Sequence, residues 1–149
     1  MFPGKHYDEV AVGESFGSSL TVTETHLVLA AGLFDDFNPL HVDERFARES
    51  RFGGRILHGP FTSALVSAPV GMYFHSTAIA YLEHACRFKA AVRPGDTLKT
   101  TWKIVDKLDK PQHAGGIVVL TCACHNQDGT LVVEADGKIL VQSRAEKRG

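Results

Sequence analysis

GPFTSALVSAPVGMYF, residues 59–74, is the most apolar helix candidate in a chain of 149 residues. Ala64, Leu65, Ala68 and Met72 recur at helical spacing. Pro60 suits a first helical position, because the N–H it lacks would be unpaired there in any case. Pro69 is the awkward residue: inside a helix it deletes one hydrogen bond, so a bend or an early end near 69 is expected. The stretch is apolar on more than one face, which predicts a sheet wrapped around it on several sides.

Working outward, the chain changes character near residue 78, from helical signals to strands. Residues 15–22 read as a short opening strand. Thr23 is a candidate N-cap for the apolar run 27–34, with no Glu or Gln three positions on to complete a capping box. Asn38-Pro39 favours a turn, and Asp43 caps a short helix through Glu49 that ends at Gly53 and Gly54. After the central helix, residues 79–92 are long enough for one bent strand, and Arg93-Pro94-Gly95-Asp96 forms a turn. Residues 97–105 alternate, with Leu98, Thr100, Trp102 and Ile104 on one face. Residues 106–116 carry charges, a proline and two glycines and read as a loop. Residues 117–126 and 130–141 are joined through Asp128-Gly129, the best hairpin signal present. Strands following one long apolar helix, without β-α-β alternation, indicate an α+β fold with an antiparallel sheet in a single domain spanning residues 1–149.

Composition narrows the function. Hydrophobic residues make up 44% and charged residues 22%, ordinary for a soluble globular chain. The formal net charge of -1 is spread along the length and offers no basic stripe for nucleic acid or an anionic membrane. The one basic cluster, Arg144, Lys147 and Arg148, reads as a solvated tail. No apolar run approaches the roughly 18 residues needed to span a bilayer, and the first residues lack a signal-peptide pattern. Three cysteines, Cys86, Cys122 and Cys124, form no disulfide-like framework, so a reducing cytoplasm is expected. Cys122, Cys124 and His125 lack the second ligand pair that a zinc site needs, and no metal is expected. No glycine-rich phosphate loop is present, so no cofactor is indicated. His26, His75, His84 and His113 read as surface or packing residues, and Tyr73, Phe74 and Trp102 as core.

Asp36-Phe37-Asn38-Pro39-Leu40-His41 sets a carboxylate and an imidazole five positions apart across a proline turn. Asp and His suit a base that takes a proton from water and an acid that returns one to carbon near neutral pH. A free backbone N–H at a helix start can stabilise growing negative charge on a carbonyl oxygen. His58-Gly59-Pro60 opens the central helix, and glycine there permits close approach. Pro60 cannot donate, so the donor is the N–H of Gly59 or one further into the first turn. On residue types alone, the Asp-His stretch also reads as an ordinary structural turn.

DDFNPLH at 35–41, HGPFTSALVS at 58–67 and FKAAVRPGDTL at 88–98 resemble the MaoC-like dehydratases, and among them the (R)-specific enoyl-CoA hydratases, over residues 10–141. The resemblance implies a hot-dog fold, a long central helix wrapped by a curved antiparallel sheet. It implies that Asp36 and His41 activate a water, adding it to an enoyl thioester of CoA or acyl carrier protein to give an (R)-3-hydroxyacyl thioester, or the reverse. Asn38 would brace the loop, Gly59 would offer its N–H to the thioester oxygen, and Ser67 and His58 would support substrate binding. A homodimer or larger homo-oligomer is implied as well. Asp35 stands where many relatives have glycine, and Pro69 is unusual in the central helix. The competing readings are a hot-dog thioesterase and a non-catalytic acyl-binding subunit of a larger dehydratase assembly.

Overall fold

The computed structural model describes residues 4–144. After a 3-10 turn at Tyr7–Glu9 come β1 (Ser15–Thr21), α1 (Glu24–Phe34), α2 (Pro39–Val42), α3 (Glu44–Glu49) and α4 (Gly59–Tyr73). The second half is β2 (Ala78–Phe88), β3 (Thr97–Lys110), β4 (Gly115–His125) and β5 (Leu131–Gln142). The strands form one antiparallel sheet in the order β1-β3-β4-β5-β2. Thus β1 and β2 are its edges. No helix among the described residues is long and apolar enough to cross a membrane.

Local chemistry explains most of the boundaries. Thr23 is the N-cap of α1, as its type predicts, and its partner three residues on is a histidine: the Thr23 backbone N–H donates to His26 Nδ1 at 2.9 Å. A rule restricted to Glu or Gln overlooks it. Asp43 accepts the Phe46 N–H at 3.0 Å and starts α3. Gly129, at φ +76°, closes the β4–β5 hairpin in a conformation that costs glycine little. The strand expected over 79–92 ends at Phe88; beyond it, only the Lys89 and Ala90 N–H groups reach across, both to the Val132 carbonyl.

Helix α4 does not end at Pro69 but continues to Tyr73. Proline deprives the Leu65 carbonyl of its helical donor. The neighbouring Val66 carbonyl accepts the buried indole N–H of Trp102 at 2.8 Å, a direct tie from sheet to helix. The inner face of α4, Thr62, Val66, Pro69 and Val70, is buried. It packs into a core with Trp102, Ile104, Leu120 and Val133. In-register pairing puts Trp102, Cys122, Ala135 and Cys86 in one row across four strands, on one face of the sheet. Cys122 and Cys124 are buried strand residues, and burial pushes the Cys122 thiol up to about 12. Among the described residues the sheet covers the inner side of α4 and leaves Ala64, Ala68 and Met72 on its outer side exposed, so the cover expected on several sides is partial.

The loop expected at 106–116 is a correction. β3 runs to Lys110 and pairs with β4 from Asp106↔Val119 to Lys110↔Gly115, leaving only Pro111–His113 as a 3-10 turn. The charges are tolerated because Asp106 and Asp109 are exposed and Lys107 donates to the Val10 carbonyl at 2.7 Å. The glycines are packing residues rather than loop residues. A side chain at Gly116 would collide with the Tyr7 ring, whose hydroxyl donates to Asp109 at 2.6 Å and whose face lies under Lys107 Nζ. Of the basic cluster expected as a solvated tail, Arg144 is pinned to Asp8 and Glu9, and Lys147 and Arg148 lie outside the described residues.

The Trp102–Val66 tie makes a stability prediction. Trp102→Phe keeps an aromatic ring but removes the buried donor, and a lower midpoint of urea unfolding is expected, equivalent to about 1–3 kcal/mol. An unchanged midpoint would show that the tie contributes nothing.

Candidate active site

The segment after α1 is held by its own side chains. Helix α1 closes on Asp35 in the left-handed conformation, φ 57° and ψ 29°, a geometry that glycine adopts more readily than other residues. Asp36 Oδ1 accepts the Asn38 N–H at 3.2 Å, and Asn38 Oδ1 accepts the Leu40 N–H at 3.0 Å to cap α2. Pro39 takes the first position of α2, so the turn read from Asn-Pro is also a helix start.

One turn later His41 reaches across to residues 55–58. Its Nδ1 lies 2.8 Å from the Ile56 carbonyl oxygen. A carbonyl only accepts, so Nδ1 carries the proton and Nε2 presents a lone pair. That Nε2 is 3.9 Å from Asp36 Oδ2. The gap is too long for a direct hydrogen bond, yet a water about 2.8 Å from each atom fits it, donating one O–H to each. The His41 side chain is 12% exposed and that of Asp36 48%, so the pair has a sheltered side and an open side.

The structure groups the other expected residues unequally. Gly59 is the first residue of α4, and among the described residues its N–H has no hydrogen-bond partner, as helix geometry dictates. Its φ is not in the left-handed region, and a Cβ added there would meet only the Phe88 ring, at 3.4 Å. Neither backbone nor internal packing therefore demands glycine at 59. Asn38 meets the loop through its Oδ1, which caps α2. His58 is 1% exposed, with its ring stacked on His41 (centroids 3.7 Å apart, 26° between planes) and its Nε2 2.8 Å from the Asp36 carbonyl oxygen. It faces its neighbours rather than open space. Ser67 lies eight residues beyond Gly59 along α4, about 12 Å at helical rise. Its hydroxyl donates to the Ala64 carbonyl at 2.9 Å, and it is not brought to the pair.

The Ile56 carbonyl, which sets the tautomer of His41, was not among the residues singled out in the sequence. A backbone acceptor leaves no mark in residue type, so no sequence signal could have found it. His84, expected as a surface or packing residue, is half-buried against α4, with Ser63 Oγ at 2.8 Å and the Tyr81 hydroxyl at 2.9 Å. Burial holds its imidazole below the ordinary histidine range.

Two hollows flank the pair. One of about 190 Å³ is lined by His41 with Leu27, Val28, Phe37 and Arg55. The other, about 370 Å³, is lined by Gly59 with Phe52, Ile56, Thr62, Phe88 and Val92. Both linings are largely apolar, suited to an apolar ligand group beside a few polar ones. A larger depression of about 780 Å³ lies beside Tyr7, Asp109 and Arg144 and shares no residue with the site.

Asp36, His41 and His58 bring possible ligand atoms within 4.8 Å of one another. The geometry does not suit a metal ion. Imidazole lone pairs lie in the ring plane, and two rings stacked face to face at 3.7 Å and 26° confine them to two near-parallel planes, where one tetrahedral centre is poorly served by both. His41 Nδ1 and His58 Nε2 are moreover committed to carbonyl oxygens.

Comparison with known proteins agrees with this architecture. The family model described as "MaoC like domain" matches residues 9–121. An (R)-specific enoyl-CoA hydratase of Rhodospirillum rubrum is 29% identical over 139 residues, covering 93% of each chain. The solved structure of R-hydratase PhaJ1 from Pseudomonas aeruginosa superposes with a TM-score of 0.83 at 30% identity, over 93% of this chain and 86% of that one. A Mycobacterium tuberculosis protein described as having a double hotdog fold matches with a TM-score of 0.84 at 18% identity, over 98% of this chain and 46% of that one. The five-stranded antiparallel sheet packed on α4 is thus a hot-dog fold. With most of its length matched by the family model, the chain belongs to the MaoC-like domain family.

Proposed function

We propose that this chain catalyses the (R)-specific hydration of trans-2-enoyl-CoA to 3-hydroxyacyl-CoA, or the reverse dehydration, through a water held by Asp36 and His41. The observation that carries the reading is the His41 tautomer: Nδ1–H on the Ile56 carbonyl, and a bare Nε2 facing Asp36 Oδ2 at 3.9 Å. Two acceptors at that spacing hold both O–H bonds of one water and leave an oxygen lone pair for carbon. The hydroxide adds to the β-carbon, the proton passes to His41 Nε2, and the Asp36 carboxylate steadies the imidazolium. Charge arriving on the thioester oxygen meets the Gly59 N–H at the start of α4. The imidazolium then returns its proton to the α-carbon on the same face, which regenerates the lone pair. The (R) hand and the CoA thioester are supported by the hydratase names of the relatives. An acyl carrier protein thioester uses the same reacting atoms. A cytoplasmic setting belongs to this proposal too.

A purified sample mixed with crotonyl-CoA should lower the enoyl absorbance without releasing free thiol. In the same assay Asp36→Asn should lose about 10²–10⁴-fold in kcat. Gly59→Ala should fold normally, since its Cβ meets only Phe88, yet lose at least about tenfold in activity by crowding the oxygen site. No hydration of short, branched or long enoyl-CoAs overturns the reading, and thiol release with full activity in Asp36→Asn points to hydrolysis elsewhere.

The active form is proposed to be a homodimer. Edge strand β2 leaves Ile79, Tyr81, Leu82 and Phe88 exposed, and the outer face of α4 leaves Met72 64% exposed beside Ala64 and Ala68. An unpaired edge strand with apolar side chains is the sort of surface a second copy covers. Sedimentation at micromolar concentration should give twice the chain mass; a strictly monomeric species contradicts the dimer.

A further inference from the structure

We infer that His58 is a positioning residue that sets the geometry of Asp36 and His41 together, an assignment that rests on the hydratase reading of that pair. Its backbone is secured without help from the side chain: the His58 carbonyl accepts the Thr62 N–H at 2.9 Å and the Thr62 hydroxyl at 3.0 Å. Although His58 is the N-cap of α4, its side chain makes no capping bond. The imidazole is therefore free of the usual duty at this position and is used elsewhere.

Two contacts show where. The Asp36 carbonyl oxygen, 2.8 Å from His58 Nε2, can only accept, so Nε2 carries the proton. This bond pins the Asp36–Phe37 peptide, one residue beyond left-handed Asp35, where α1 has run out of partners of its own. The face of the same ring supports His41 in a stack with centroids 3.7 Å apart. His41 is thus fixed in its plane by the Ile56 carbonyl and across its plane by His58, so its Nε2 has one direction left, toward Asp36. Because Gly59 follows directly in the chain, the proposed oxyanion donor is registered to the pair through the same residue.

The remaining atom explains why the residue is histidine. Nδ1 of His58 is the one buried side-chain nitrogen or oxygen without a hydrogen-bond partner among the described residues. A buried acceptor left empty is unfavourable, and neither contact uses it. Glutamine would supply the N–H without the flat face, and phenylalanine the face without the N–H. Imidazole is the smallest side chain that joins an aromatic face to an in-plane N–H donor. The empty Nδ1 accompanies that combination.

The test separates the two contacts in the full chain. His58→Gln keeps a donor and loses the face, whereas His58→Phe keeps the face and loses the donor. Each is expected to unfold cooperatively and to hold KM for crotonyl-CoA near the wild-type value. Each should lose roughly 10- to 100-fold in kcat, the penalty of a reacting group displaced by about 1 Å. The nitrogen-15 spectrum of His41 reads the same geometry without substrate. The wild type should show one tautomer, protonated at Nδ1, and the variants a mixture of both. A wild type that hydrates nothing, with tautomers that mix in the variants, overturns the hydratase reading and leaves the positioning role standing. Folded variants that keep kcat within about twofold, or that keep the single His41 tautomer, overturn the positioning role.

Discussion

Everything at the site depends on how α4 is seated in the sheet. Its inner face is buried against Trp102, Ile104, Leu120 and Val133, and the Trp102 indole bonds the Val66 carbonyl in the middle of the helix. Burial of this kind stabilises by roughly 25 cal/mol per Å² of apolar surface, and the single hydrogen bond adds direction that apolar packing lacks. Once α4 is fixed along its length, its first turn is fixed in space. That turn carries His58 and Gly59.

The second constraint is the seam between residues 35–43 and 55–58, two segments that are irregular or barely helical. The Ile56 N–H donates to the Leu40 carbonyl at 3.2 Å, His41 Nδ1 to the Ile56 carbonyl, and His58 Nε2 to the Asp36 carbonyl. Three bonds cross the seam within three residues on one side. Arg55 reinforces it from outside, pairing with Glu24 of α1 and Glu44 of α3, and the hydrogen bonds of Arg55 and Arg48 hold the Glu44 carboxyl below its usual range. Exposed ion pairs contribute little to stability, so the value of Arg55 lies in register more than in energy. The seam turns a carboxylate and an imidazole on a loop into groups with defined directions, which catalysis by proton transfer requires.

Much of this was legible in the sequence, for reasons that differ by element. The periodicity of residues 59–74 marked α4, and Asp128-Gly129 marked the last hairpin, because those signals arise from local chemistry. The turn at 36–41 was legible because it is built from its own side chains, whereas Asp36 and His41 were singled out within it through the family resemblance. The end of β3 was misread because charge, proline and glycine carry local loop signals. Here Tyr7, more than a hundred residues away in sequence, makes Gly116 a packing requirement. The stack of His58 on His41 was hidden for a similar reason: the two lie 17 positions apart and meet only after α4 docks. The outer face of α4 was correctly read as apolar, but that pattern does not say whether the covering surface comes from the same chain.

The most direct test of the central claim is hydration of crotonyl-CoA in deuterium oxide, with the product examined by NMR. The account predicts a hydroxyl on the β-carbon in the (R) configuration and one deuteron on the α-carbon, added on the same face, with the thioester intact. Release of CoA with no deuterium at the α-carbon, or a product with the (S) configuration, would contradict it.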